Sequence, residues 1–101
     1  GSGSTNLIAI LDGVGRATLV GEKTGGTAEG TTAGVLFTLT LPESGVRARL
    51  PFFRYRNNVP SFEPGLGVSP DISAPMTADA FLAGEDPAYL AALELLESSG
   101  R

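Results

Sequence analysis

Apolar residues at Leu7, Ile8, Leu11 and Val14 recur at i, i+1, i+4 and i+7, the spacing of one helical face. Ser4 or Thr5 stands where an N-cap oxygen is wanted, and Gly13 or Gly15 where a helix stops, so a short helix is predicted between them. Ala17-Thr18-Leu19-Val20 is a brief apolar, partly β-branched run bounded by Gly15 and Gly21, the pattern of a buried strand in an α/β sheet. Val35 to Leu41 alternates, as does Val46 to Leu50, and Pro42-Glu43-Ser44-Gly45 between them supplies the turn of a β-hairpin. Its second strand sets Arg47 and Arg49 on one face, expected to be solvated, and Val46, Ala48 and Leu50 on the other.

Beyond the hairpin, Pro51 to Ser61 interleaves Phe52, Phe53 and Tyr55 with Arg54 and Arg56, which suggests an extended edge strand or the wall of a pocket. Phe62 to Asp71 is dense in turn formers, with Pro64 and Pro70 holding the residues before them extended, so it is expected to be a rigid connection. Ile72 to Met76 should be extended. Thr77 can cap a short helix through Leu82, and Asp86-Pro87 is an N-cap followed by proline at the first helical position. Tyr89, Leu90, Leu93 and Leu96 then form an apolar stripe along Pro87 to Glu97, and Ser98 to Arg101 should fray. If that stripe shares one core with Leu39, Leu41, Val46 and Leu50, Leu93→Ala is expected to cost about 2–5 kcal/mol.

The 101 residues suffice for one small domain, and the mean hydropathy of +0.13 with 42% hydrophobic residues argues for packing rather than disorder. A net charge of −4 and only seven Lys and Arg give no footprint for nucleic acid or an anionic membrane. No run approaches the roughly 18 apolar residues of a membrane span, and no targeting segment is visible. With no cysteine there is neither a disulfide framework nor a thiolate metal site. With no histidine, any imidazole chemistry must be imported.

Candidate chemistry gathers around Gly15 to Gly26. After the expected strand come Gly21, Gly25, Gly26 and Gly30 with Thr24, Thr27, Thr31 and Thr32 among them, and glycine density at a strand end lets backbone approach a ligand closely. Ahead of it, a serine at the mouth of the first helix would sit in the field of the N-terminal dipole beside free N–H groups, an environment that stabilises an alkoxide and an adjacent oxyanion. Ser2 is so placed, although Gly1-Ser2-Gly3-Ser4 also reads by composition as a cloning scar or flexible linker.

Four motifs in order carry a resemblance: Gly15-Arg16-Ala17-x-Leu19-Val20-Gly21-Glu22-x-Thr24-Gly25-Gly26, Leu39-x-Leu41-Pro42-x-Ser44-Gly45, Gly67-Val68-x-Pro70-Asp71, and an acidic Gly-x-Asp-Pro before a Leu-rich helix. The chain thereby resembles, over essentially all of residues 1–101, the C-terminal part of the catalytic domain of the tail-specific (C-terminal processing) serine proteases, a family that includes the tricorn core protease. The resemblance implies an α/β, crotonase/Clp-protease-like fold of ββα units, of which this chain holds the later part with a β-hairpin and a C-terminal helix. It implies no cofactor and no metal, a polypeptide substrate, the rest of the same protease chain as partner, and a periplasmic or secreted bacterial location.

The family's nucleophile lies fourteen residues before the arginine of the Gly-Arg pair, which is Ser2 here, and the Gly3 N–H would be an oxyanion donor. Gly25, Gly26 and Thr27 would contact substrate. Members with a serine/lysine dyad carry lysine where this chain has Thr27, so that base is lacking at that position, and Lys23 is the nearby alternative. The tricorn-like branch uses a histidine from an earlier segment, with Glu63 here the nearest carboxylate for its support, although aligning it takes a one-residue shift. A plain loop carboxylate is the other reading of Glu63. A rival function follows from the same resemblance, because repeats of interphotoreceptor retinoid-binding protein are similar to the family yet carry apolar ligands, and Phe52, Phe53 and Tyr55 could line such a pocket. A third reading is a piece without activity of its own. A histidine-bearing segment upstream would favour the protease.

Overall fold

The computed structural model describes residues 2–60 and 62–100; Gly1 of the leading run, Ser61 at the end of the extended stretch and the terminal Arg101 lie outside the described residues. The chain is mixed α/β, in the order α1 (Ser2–Gly13), β1 (Val20–Gly21), β2 (Leu36–Thr40), β3 (Arg47–Pro51), β4 (Ile72–Ser73), α2 (Ala78–Ala83) and α3 (Pro87–Ser99). Two two-stranded sheets result, β1 parallel to β4 and β2 antiparallel to β3.

Helix α1 begins at Ser2, earlier than a cap at Ser4 or Thr5 would set it. Thr5 faces inward instead, buried with Ala9, while Leu7 and Ile10 are exposed. Thus the small side chains of α1, spaced at Thr5 and Ala9, form its packed face, with Ile8 partly buried against the same cluster. The helix closes in a Schellman arrangement at the Gly-Arg pair: the Arg16 N–H donates to the Leu11 carbonyl at 3.1 Å and the Gly15 N–H to Asp12 at 2.9 Å, with Gly15 at φ 60°.

The strand expected from Ala17 shrinks to Val20–Gly21, and Ala17 and Thr18 are exposed. Asp71 sets where pairing begins. Its carboxylate accepts from the Leu19 N–H at 2.7 Å, while the Leu19 carbonyl accepts from the Asp71 and Ile72 N–H groups at 2.9 and 3.0 Å. Parallel pairing of Val20 with Ile72 and Gly21 with Ser73 follows. The Gly-x-x-Pro-Asp stretch is therefore a strand-docking clip.

The hairpin forms as expected, with Phe37 opposite Leu50 and Leu39 opposite Ala48. Its antiparallel bonding continues toward the glycine loop, from the Phe52, Tyr55 and Asn57 N–H groups to the Val35, Thr31 and Glu29 carbonyls at 2.7–2.9 Å. Arg47 and Arg49 are exposed on the face opposite Ala48 and Leu50. Both later helices also start where the sequence places them, capped by Thr77 to the Ala80 N–H and by Asp86 to the Ala88 and Tyr89 N–H groups. Helix α3 runs on to Ser99, past the expected fraying point at Ser98.

Packing overturns the single-core expectation. The buried apolar residues among those described are Ala9, Ala28 and Val68, with Ile8, Leu19, Val59 and Phe62 partly buried against them. Helix α3 lies on β1 and turns Ala88, Ala91, Ala92 and Leu95 to the less exposed side, whereas Leu93 is 38% and Leu96 67% exposed. Small residues win that face because Ala88 sits directly over Gly21, whose added Cβ would lie 3.5 Å from the Ala88 Cβ. The hairpin projects with Phe37, Leu39, Leu41, Val46, Leu50 and Phe52 all exposed. A radius of gyration of 18.3 Å, against the roughly 13 Å of a compact 100-residue domain, reflects that open packing.

Two substitutions test which face of α3 carries stability in a urea melt. Leu93→Ala should cost less than about 1 kcal/mol, since much of the side chain is already in water. Ala88→Leu, which overfills the contact on Gly21, should cost about 1–3 kcal/mol. The reverse order would restore the leucine stripe as the packed face.

Candidate functional site

Ser2 is the first residue of α1, and Ser2, Thr5 and Ala9 share one face at i, i+3 and i+7. The backbone N–H groups of the first turn have no partner within the helix, so Ser2 stands among donors directed out of its N-terminus. Ser2 is half-buried, Gly3 and Ser4 are exposed, and Thr5 is 3% exposed. A Cβ on Gly3 would meet nothing beyond the helix itself within 4 Å, so that side of the turn is open.

The glycine loop lies against this helix start. A Cβ on Gly26 would stand 2.7 Å from the Thr5 Oγ1 and 3.4 Å from the Ser2 Cα, so a larger residue would push the loop away from Ser2. Behind it, Gly67 backs onto the Thr24 and Gly26 carbonyls so closely that a Cβ there would fall on the Thr24 oxygen. The chain from Thr24 to Ala28 is thus sandwiched between α1 and the segment Leu66 to Val68, and bonded to the latter. The Thr24 N–H donates to the Val68 carbonyl at 2.9 Å, and the Ala28 N–H to the Leu66 carbonyl at 3.0 Å. Thr24 also acts through its hydroxyl, donating to the Gly26 carbonyl at 3.0 Å and accepting from the Val68 N–H at 2.9 Å.

Asn57 ties the loop to the helix from the other side. Its Nδ2 donates to the Asn6 Oδ1 at 3.2 Å and to the Ala28 carbonyl at 3.0 Å. Glu29 clamps the next turn, accepting from the Gly65 N–H at 2.7 Å and pairing with Arg54. The sequence pattern marks Thr5 as a cap and Thr24 within the glycine loop but not their packing and bonding roles, and it marks neither Glu29 nor Asn57. What signal existed was a single acidic residue within a Gly/Thr tract and a paired asparagine after an aromatic run.

The structure therefore brings Ser2 and Gly26 together, with Gly25 exposed beside them and Thr27 half-buried, its hydroxyl donating to the Gly30 carbonyl at 3.3 Å. Glu63 lines a depression of about 240 Å³ with Asp12, Lys23, Ala28, Gly67, Val68 and Ser69. Asp12 lies ten residues along α1 from Ser2, which at 1.5 Å per residue is about 15 Å. Lys23, the alternative base, shares that depression. Arg54 and Arg56 line a cavity, whereas Phe52, Phe53 and Tyr55 do not line it. No helix among the described residues is long and apolar enough to cross a membrane.

No family model, curated protein or solved structure matches the chain. The resemblance to tail-specific proteases therefore rests on the sequence motifs alone.

Thr24→Val should cost about 1–3 kcal/mol, because it keeps the side-chain shape but leaves the Val68 N–H and the Gly26 carbonyl without a hydroxyl partner. Thr24→Ser should retain most of the stability. Equal urea midpoints for wild type and Thr24→Val would show that the hydroxyl does not hold the loop.

Proposed function

We propose that this chain is part of a serine endopeptidase of the tail-specific, tricorn-like kind, with Ser2 as nucleophile and a general base brought by other polypeptide of the same protease. One observation carries the reading: the Gly25-Gly26 turn lies against the first turn of α1 at Ser2, at a separation that any side chain on Gly26 would open. That arrangement leaves a serine hydroxyl at a helix N-terminus beside a backbone surface on which an extended substrate could lie. The later part of a crotonase-like domain is the matching fold, and the open packing supports it, since the hairpin and the leucine face of α3 are apolar surfaces of the kind a larger domain covers.

In that mechanism the imported base takes the Ser2 proton as Oγ attacks the peptide carbonyl, and the Gly3 N–H donates to the developing oxyanion. The base then returns the proton to the leaving amine, and water repeats the sequence on the acyl-enzyme. For Glu63 to orient the base, the base-bearing segment has to reach both the depression that Glu63 lines and the start of α1. A second reading, an apolar-ligand carrier, is favoured by one feature: the exposed edge-to-face contacts of Phe52 with Phe37 and Phe53, at centroid distances of 5.9 and 4.7 Å.

Two measurements separate them. The 101 residues alone should not hydrolyse a fluorogenic peptide library, since they contain no histidine and carry Thr27 at the dyad position. Turnover that disappears in Ser2→Ala would place the base inside the chain and overturn the imported-base assignment. In the full-length protein a fluorophosphonate probe should add to Ser2 and to neither Ser4 nor Ser44, as read by mass spectrometry of the labelled peptides. An adduct on Ser4, or no serine adduct together with tight binding of a retinoid-like ligand, would favour the carrier.

A further inference from the structure

A cavity of about 260 Å³ opens beside the glycine loop, lined by Glu29, Arg54, Arg56, Phe62 and Pro64. Its charges are unequal in freedom. Glu29 is only 18% exposed and already satisfied on both oxygens, by Arg54 on one and by the Gly65 N–H on the other. Arg54 is committed to that pair, whereas Arg56 makes no ion pair among the described residues. Among the described residues the cavity thus has one arginine without an ion pair, Arg56, two positions along the chain from Arg54 and next to half-buried Phe62 and to Pro64.

We infer that this cavity is a subsite for a carboxylate carried on an apolar stem, received from a polypeptide. A guanidinium matches a carboxylate in charge and in the geometry of its N–H groups. A dianionic phosphate would be a poorer match, since it would bring its second charge up to the Glu29 carboxylate while facing one free arginine. Phe62 and Pro64 would cover the methylenes between the carboxylate and the peptide backbone. Position supplies the remaining argument. Glu29 is three residues from Gly26, which lies against Ser2, and three extended residues span at most about 11 Å. A peptide held near Ser2 could therefore place a residue in the cavity within about three residues of that point. The carboxylate is either an acidic side chain there or a chain end, and the chemistry of recognition is the same for both.

The inference rests on the peptidase reading only in taking a polypeptide as ligand, so its test is binding, not turnover. Fluorescence anisotropy would be measured on the full 101-residue chain with dye-labelled octapeptides of apolar residues. One peptide is amidated with a single internal Glu, one is the same with Gln, and one is the Gln peptide with a free C-terminal acid. Binding should favour a carboxylate-bearing peptide over the amidated Gln peptide by roughly tenfold, the worth of one charge-assisted hydrogen bond. A preference for internal Glu assigns the site to a side chain, and a preference for the free acid assigns it to a chain end. Arg56→Gln should abolish the preference and Arg56→Lys should keep part of it. Equal binding of all three peptides, or a preference that survives Arg56→Gln, overturns the inference. Loss of Ser2 labelling with the carboxylate preference intact would instead count against the peptidase reading alone.

Discussion

Backbone lying directly on backbone at Gly67, and on the first turn of α1 at Gly26, is the contact on which the rest of this chain depends. Thr24 to Ala28 is held there from three directions: by Leu66 to Val68, by Asn57, and by the small face of α1. Main-chain groups buried in this way must find partners, and the bonds around the loop join N–H groups to carbonyls or run to and from the Thr24 hydroxyl, which accepts from the Val68 N–H and donates to the Gly26 carbonyl. Only residues without a Cβ permit the approach, so the glycines specify the site more firmly than any apolar residue nearby does.

Outside that knot, order comes from local devices. The Schellman turn at Gly15 and the Thr77 and Asp86 caps each bound an element using residues near its ends, while the Asp71 clip on Leu19 joins two strand starts 52 residues apart. They make the elements definite without burying much surface. The buried apolar cluster is three small or medium residues with partly buried neighbours, and the larger side chains of the hairpin and α3 remain in contact with water. Stability concentrated in polar and main-chain contacts around Ser2, with apolar faces left open, is the pattern expected of a unit whose site is rigid and whose outer surfaces meet other protein.

The proposed chemistry depends on the same arrangement. A helix N-terminus supplies donors to an oxyanion only if substrate can lie across it, and the glycine loop beside Ser2 offers such a surface. The cavity beside Arg56 lies on the segment bonded to Glu29 and Thr31, so an extended substrate could be read a few residues away from its point of cleavage. Nucleophile and specificity would then be coupled through one stretch of backbone, Gly26 to Glu29.

Where each element begins was legible in the sequence wherever a local rule decides it. Alternation around Pro42 to Gly45 set the hairpin, and Thr77 and Asp86-Pro87 set the later helices, because turns and caps are chosen by residues within four positions of one another. The glycine loop was legible for the same reason, whereas the helix opens at Ser2, ahead of the Ser4 or Thr5 cap that local rules favoured. Tertiary structure decided the rest. Periodicity marked the leucines of α3 as the packed stripe, but a helix buries the face its neighbour can accept, and Gly21 accepts Ala88. It likewise assigned Leu7 to the inner side of α1, whereas the loop demanded Thr5 and Ala9. The depression that Glu63 shares with Lys23 and the Asn57 and Glu29 clamps all join residues distant in the chain. Sequence spacing carries no distance for such pairs, and only the folded backbone supplies one.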